Sequence, residues 1–392
     1  ATADTIKKPE PQSGVIENSY LRVEVADDGT LTVEDKETGV SYEGLNRFVD
    51  VRDRGDEYNF CPVEDDVTIA DPVDTPQVRR IQTAEARQAL EISLVYRVPV
   101  GLGETRHQRS TETTELPITT RVSLTDGVPR VEIATTVAND ASDHRLRAHF
   151  PVPVQVDTFD AESHMDVITR PLDLPTDTEG WIEEPVGTHP QRTWSDVSDG
   201  DVGLLLANRG LPEIEVIRTG TGSEFALTLL RCVGWLSRAD LSVRKGHAGP
   251  GLPTPEGQCH GTYTFHYALV PHQGDWRQAF AQAHAFNAPF RAVSTPVHEG
   301  PLPSTLSFVK VSPDAMVISA VKKAENGDGL IVRLWHAGDE DGQAVLRFFR
   351  TPSRVVRCNL AERDLEALSV DDEGVVRVSV RRREILTVRV EF

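Results

Sequence analysis

Hydrophobic and polar positions alternate along most of this chain. Leu21, Val23 and Val25 face one way with Arg22 and Glu24 opposite, and Asp27-Asp28-Gly29 supplies a turn. Leu31 and Val33 then resume the pattern between Thr30, Thr32 and Glu34, before a second turn at Lys36-Glu37-Thr38-Gly39. Period-two patterning broken by turn residues predicts a β-meander. Further strands are predicted over 90–98, 118–125, 130–137, 144–150, 202–207, 213–217 and 225–235. Only Trp276–Phe286 reads as a helix: Asp275 with Gln278 fits a capping box, and Trp276, Ala279, Phe280 and Ala283 make an apolar face. Strand after strand with Gly, Pro and Asp turns is the signature of a β-sandwich.

The Pro-rich stretch from Pro289 to Pro303 marks a boundary, followed by strands predicted over 306–311, 316–322, 330–336, 345–349, 375–380 and 385–390. The organisation expected is a polar lead-in at 1–14, a large sandwich at 15–290, a linker at 291–303 and a smaller sandwich at 304–392. The lead-in, ATADTIKKPEPQSG, lacks an initiator Met and reads as a linker cut from a longer chain.

Two interruptions carry the chemical interest. The segment VDVRDRGDEYNFCPVEDD is charged, is broken by Gly55 and Pro62, and reads neither as a helix nor as an ordinary strand. It sets Tyr58 amid the carboxylates of Asp56 and Glu57, as a solvated bulge or as part of a pocket. The second lies between two short apolar segments, Ala226–Trp235 and Thr262–Val270. Its polar insert holds Arg238, Asp240, Arg244, Lys245 and His247, and exceeds twenty residues. Loops of that length are functional or disordered more often than they are simple connections.

Composition removes several function classes. Sixty-one acidic residues against 41 basic give a net charge of -20, the wrong sign for a nucleic-acid backbone or an anionic membrane. Of the basic residues 34 are Arg and 7 Lys. The chain has no apolar run of membrane-spanning length and no signal-peptide pattern. Its four cysteines are widely spaced, which suits free thiols in a reducing compartment, and a cytoplasmic location is expected.

G-x-S-x-G, P-loop and H-E-x-x-H patterns are absent. His164-Met165-Asp166 lacks a nearby third ligand, and a surface or packing role is expected for it. His144 and His149, five apart on a strand, point to opposite faces and cannot share a metal. Carboxylates are too abundant for any pair to be singled out as a glycosidase acid and base. Arg231, in an apolar strand, requires a carboxylate partner, as a structural ion pair or at a site rim.

In order along the chain, IENSYLRVEVADDGTLTVEDKETG, GDEYNF, ANDASDHRLRAHFP, QRTWSDVSDGDVGLLLANRGLPEIEV, LTLLRCVGWLSRADLS, and HAGPG with TPEGQCHGTYTFHYAL resemble the C-terminal β-sandwich region of glycoside hydrolase family 38, the α-mannosidases, in bacterial form. SAVKKAENGDGLIVRLWH and EILTVRVEF resemble that family's closing segments. The resemblance implies an all-β fold: a large galactose-mutarotase-like supersandwich and a smaller C-terminal sandwich.

It also implies that zinc, the aspartate nucleophile and the acid/base belong to an N-terminal catalytic domain of the same polypeptide. That domain's Gly-His-x-His-x-Asp type strand has no counterpart here, so no catalytic residue and no metal ligand is expected in this chain. Loops of the sandwich would complete the wall of a pocket for a mannose-containing glycan. By resemblance, Tyr58 matches the tyrosine whose hydroxyl approaches the sugar, and Arg231 an arginine near the same pocket. Asp56 joins them as a substrate-binding candidate, with Asp240 and Arg244 from the long loop matching less closely. The retaining, zinc-dependent hydrolysis of α-mannosides is expected of the longer enzyme, and no activity of 1–392 alone. The long loop is expected to face solvent, on a strand pair whose base supplies Arg231. The rival readings are a stand-alone carbohydrate-binding or mutarotase-like protein, which needs an aromatic-lined groove from only 6 Tyr and 5 Trp, and a purely structural module packed on a catalytic domain.

Overall fold

The computed structural model describes residues 14–63, 66–81 and 83–392 of the chain. The chain folds as two compact units, one running to Ala161 and resuming over Thr169–Pro289, the other comprising Glu162–Ile168 and Phe290–Phe392. The short segment 162–168, assigned from sequence to the large sandwich, thus groups with the second unit.

The first unit opens with the expected meander. Val15–Glu17, Leu21–Val25, Leu31–Asp35 and Ser41–Leu45 form a four-stranded antiparallel sheet, with Val23 opposite Val33. Alternation buries Leu21, Val23, Leu31 and Val33 on one face, the reason this register is fixed. Gly29 takes a positive φ at the first turn, while Asp28 accepts the amide and hydroxyl of Thr30.

Two larger sheets enclose the core. One has five strands in the order Thr188–Pro190, Glu213–Arg218, Ser223–Cys232, His144–Val152, Arg47–Arg52. The other has nine, with Val202–Asn208, Gly261–Gln273, Val131–Asn139, Thr113–Thr125 and Arg87–Pro99 adjacent in that order. Phe48, Leu146, Phe150, Phe225 and Leu227 of the first pack with Ile92, Ile118, Ile133, Tyr267 and Leu269 of the second in one core cluster. Phe150 meets Tyr267 edge-on at 5.7 Å, and the Tyr267 hydroxyl is shared by Thr135 and Asn46 at 2.5 and 2.6 Å. A buried tyrosine in such a core keeps its hydroxyl only with partners of this kind.

Three differences from the sequence reading matter. The first residues of the charged segment are strand, Arg47–Arg52, and the break comes only at Asp53. Ser223–Cys232 and Gly261–Gln273 lie in different sheets, so the long loop joins two sheets and does not crown a strand pair. The helical region is split: a 3-10 turn at Trp276–Gln278 precedes an α-helix at Phe280–Asn287. Asp275 accepts the Arg277 amide at 2.9 Å, which caps the 3-10 turn, and Trp276, Phe280, Ala283 and Phe286 are buried.

In the second unit, Val309–Ser312, Gly342–Phe348 and Val375–Val380 form one sheet. Met316–Lys323, Leu330–His336, Ile385–Glu391, Arg354–Cys358 and Asp364–Leu368 form the other. Val332, Leu334, Leu346, Val376 and Val388 fill the core of this unit. Among the described residues no helix is long and apolar enough to cross a membrane.

Candidate functional site

The site begins where the strand Arg47–Arg52 stops. Asp53 is fully buried and accepts the amides of Gly55 and Cys61 at 2.8 and 3.1 Å, pinching the chain into a closed loop. Within it the Asp56 amide reaches Asn59 O at 3.1 Å. Gly55 is required sterically, since a Cβ there would lie 2.0 Å from Asn59 O. Asp56 Oδ1 accepts the amides of Tyr58 and Asn59, both at 3.0 Å, an Asx turn that carries Tyr58 outward until its residue surface is 54% exposed.

Two arginines tie this loop to the rest of the unit. Arg231, in the strand Ser223–Cys232, donates from Nε to Asp53 Oδ2 at 2.8 Å and from Nη2 to the Asp56 carbonyl at 2.5 Å. Directly across the ladder stands Arg145, whose guanidinium lies 3.6 Å from the Phe60 ring centroid. Burial and the neighbouring Arg147 lower its pKa to about 10. Asp53 lies among these cations: burial pushes its carboxyl up, against Arg231 and the two amides.

Arg244 arrives from the long loop and is almost wholly enclosed. It donates from Nη2 to Asp56 Oδ2 at 2.6 Å and to the Arg238 carbonyl at 2.9 Å, and from Nη1 to Asn59. The Arg238 amide adds a further bond to Asp56 Oδ2 at 2.7 Å. Burial alone would raise Asp56, but the Arg244 hydrogen bond and the amides of Arg238, Asn59 and Tyr58 outweigh it and hold the carboxyl below its ordinary value.

The long loop therefore does not simply face solvent. Leu241 and Ser237 are buried with Arg244, and Ser237 Oγ accepts the amides of Ala248 and Gly249 at 3.0 and 3.2 Å. Its backbone is fastened at the base by Glu57 N to Trp235 O at 3.0 Å and Leu236 N to Leu252 O at 2.9 Å. Lys245, Gly246, His247 and Ala248 are left exposed. Trp235, Ser237, Arg238, Asp240, His247 and Gly251 line a cavity of about 260 Å³. Arg238 grips Asp240 with two bonds, at 2.8 and 2.7 Å, and its guanidinium stands 5.0 Å from the Trp235 ring centroid. That grip holds Asp240 ionised below its usual range.

The five sequence candidates thus gather in one region but in different layers. Tyr58 is at the surface, with Arg244 5.9 Å behind its ring centroid, and Asp240 lines the cavity. Asp56 and Arg244 are enclosed, with side-chain exposures of 0% and 1%, and each saturates the other. Their expected contact with substrate is corrected accordingly: they position Tyr58 and the loop, and their oxygens and nitrogens are spent on the protein. Arg231 is likewise committed to Asp53 and to backbone.

Asp53, Trp235 and Ser237 were missed as site residues. A signal existed for Asp53, since an aspartate two residues before a glycine in a turn-rich segment is a backbone-capping pattern. Ser237 offers none, because its role depends on a loop returning to it eleven and twelve residues later.

Among the described residues no three His, Cys, Asp or Glu side chains converge as a metal site. Asp166, of the His-x-Asp pair, is paired with Arg383 at 2.9 Å.

Comparison with known proteins places this sandwich in a family. Residues 16–239 match the glycosyl hydrolases family 38 C-terminal domain, and residues 315–388 the family 38 C-terminal beta sandwich domain. The chain belongs to glycosyl hydrolase family 38, of which it carries the C-terminal domains. It is similar to the crystal structure of an alpha-mannosidase from Enterococcus faecalis V583, at 30% identity and a TM-score of 0.84 over 98% of this chain and 42% of that one. It is 28% identical, over 97% of its length and 42% of the relative's, to a putative mannosylglycerate hydrolase of Halalkalibacterium halodurans. Human alpha-mannosidase 2C1 is 27% identical over 62% of this chain and 21% of its own. The chain spans less than half the length of each of these relatives.

Proposed function

We propose that this chain is the pocket-completing portion of an α-mannosidase-type hydrolase, and that Tyr58 and the Trp235–Asp240 wall contact the sugar. The observation that carries the reading is Tyr58 itself: a half-exposed ring on a loop whose every buried polar group is engaged, in a module of family 38. A tyrosine held this way offers a stacking face and a hydroxyl with little ordering cost on binding. Asp240, ionised and fixed by Arg238, adds an acceptor for sugar hydroxyls.

The bond-breaking groups lie elsewhere on this reading. Asp53 and Asp56 are buried and saturated and Asp240 is locked to Arg238, and neither state suits a nucleophile or a proton donor. The donor set described above does not fit zinc, so zinc and the retaining two-carboxylate chemistry are assigned to an N-terminal catalytic domain of the same polypeptide.

The test has two arms. Residues 1–392 alone should not hydrolyse an aryl α-mannoside, and hydrolysis that survives EDTA would overturn the assignment. In the polypeptide carrying the N-terminal region, Tyr58→Phe should lower turnover by about tenfold or more, the worth of one hydrogen bond that strengthens in the transition state. Unchanged turnover would remove Tyr58 from the pocket.

A further inference from the structure

The long loop leaves one sheet and enters the other between two cysteines. Cys232 closes the strand Ser223–Cys232, and Cys259 stands just ahead of the strand Gly261–Gln273. Everything that the loop contributes, from Trp235 to Arg244, lies between them. The two arms of the loop are zipped together at this root. Val233 N reaches Gly257 O at 3.1 Å, and Thr254 N reaches Gly234 O at 2.9 Å. Gly257 is needed for so close an approach, since a Cβ there would lie 2.6 Å from Val233 O. Asn139, which ends the strand Val131–Asn139, bridges both arms: its Nδ2 donates to Cys232 Sγ at 3.5 Å and to the Cys259 carbonyl at 3.1 Å. Gln258 is fixed by Asp143, whose amide and carboxylate it engages at 2.8 and 3.0 Å. The two thiols are thereby brought together, with the Cys232 S–H donating to the Cys259 sulfur.

The pair is chemically asymmetric. Cys232 is wholly buried, whereas Cys259 is half-buried and open to small solutes. The hydrogen bond from Cys232 outweighs burial and, with His144 adding its charge, lowers the Cys259 pKa to about 6. The same bond, together with burial, pushes the Cys232 thiol up. At neutral pH Cys259 is therefore a thiolate, and the thiol beside it keeps its proton. The other two cysteines are placed differently. Cys61 packs against Arg54 and Ser242, at 3.3 Å from each, and Cys358 is buried in the second unit.

We propose that Cys232 and Cys259 are a modification site: they form a reversible disulfide that clasps the root of the long loop and cross-links the two sheets. The oxidant is a peroxide or a low-molecular-weight disulfide. With a peroxide, the Cys259 thiolate attacks one oxygen and the O–O bond breaks, giving a sulfenic acid and hydroxide. The Cys232 sulfur then attacks the Cys259 sulfur, the S–O bond breaks, and the Cys232 proton leaves with the hydroxyl group as water. With a small disulfide, Cys259 first forms a mixed disulfide and releases one thiolate, and Cys232 then displaces the second thiol. On either route the two sulfurs lose two electrons together and the oxidant gains them. A bond formed on a half-exposed sulfur is open to reduction by the same thiols, which makes it reversible in a reducing compartment. The clasp stands whether or not the loop contacts sugar.

The test takes residues 1–392, fully reduced and desalted, and exposes the folded protein at neutral pH to hydrogen peroxide or, separately, to glutathione disulfide. Thiols counted with dithionitrobenzoate in denaturant should fall from four to two. A non-reducing digest should contain one peptide pair joining Cys232 to Cys259, and dithiothreitol added to the folded protein should return all four thiols. Melting of the oxidised protein should rise by about 3–6 °C, because the cross-link restricts the unfolded chain. Cys259→Ser should show no rise under the same treatment, and Cys358→Ser should cross-link as the parent does. The digest of the parent decides the matter even if a variant folds poorly. Four thiols after both oxidants, a cross-link through Cys61 or Cys358, or a peroxide product that stops at a sulfinic acid on Cys259 would each overturn the proposal. So would a bond that dithiothreitol fails to reduce in the folded protein, or a parent whose melting is unmoved by oxidation.

Discussion

Arg244→Ala removes the cation from a carboxylate that cannot follow it to solvent. Asp56 has no exposed surface, and it would retain three backbone donors, from Tyr58, Asn59 and Arg238. Removing one partner of a buried pair costs about 3–5 kcal/mol, and the surviving amides place this case toward the lower end. The bonds of Arg244 to Asn59 and to the Arg238 carbonyl are lost as well. The first unit has about 280 residues, so at roughly 2 cal/mol/K per residue its unfolding entropy is near 0.6 kcal/mol/K. A loss of 3–5 kcal/mol therefore lowers its melting temperature by about 5–9 °C. Differential scanning calorimetry on residues 1–392 reads this, with the second unit's transition as internal reference. Adding Asp56→Asn should restore at least about 1 kcal/mol of the loss, since the stranded charge is then gone. A drop under about 1 kcal/mol for Arg244→Ala, or no recovery in the double variant, would refute the account of Asp56 as a charge held only by its partners.

The other predictions use the same geometry. The folded-state pKa of Asp56 is depressed, so its contribution to stability is full above the unfolded value near 4 and is lost as pH falls through the folded value. Acid titration of the melting temperature should show Arg244→Ala losing less stability than the parent as pH falls below about 4, because protonation there relieves the stranded Asp56 charge. His272, bound to Asp196 at 2.7 Å, runs the other way. Burial works against its protonation, but the Asp196 hydrogen bond and charge prevail and raise its pKa, so its contribution is full below about 6.5 and fades as pH rises through the folded value. An NMR titration of the His272 ring giving a midpoint below 6.5 would contradict this. Gly249→Ala sets a Cβ 2.8 Å from the Tyr58 hydroxyl. The exposed ring can swing away, so sugar binding should weaken while melting shifts by less than about 0.5 kcal/mol equivalent. Gly55→Ala meets Asn59 O, which cannot swing, and should yield little folded protein on expression.

Where one face of a strand is buried, its alternation was legible: Leu21–Val25 and Leu31–Asp35 stand where the pattern put them. The edge strands Gln77–Ile81 and Asp364–Leu368 were not, because their residues are mostly exposed and no burial imprints a period on them. His144–Val152 is enclosed on both faces, yet its outward side carries Arg145, Arg147 and His149. Ion pairing of Arg145 with Glu213 and of Arg147 with Glu215, and the approach of His149 to Glu224 at 3.1 Å, substitute there for hydrophobicity, so the sequence shows alternation where the structure shows uniform burial. In the site, residue types and motif were readable, and depth was not. Whether an aspartate in GDEYNF faces a ligand or the protein depends on where Arg244 returns, 188 residues later.

The layering of Asp56 beneath Tyr58 bears on how genetic variation in this region reads out. A screen scored by activity alone would rank the two positions together, since losing either disables the same surface. Scored by abundance they part company: variants at Asp56 would be cleared as poorly folded chains, whereas variants at Tyr58 would accumulate to normal levels and fail in place. Measuring both quantities for each variant turns the depth of a residue into an observable that needs no ligand.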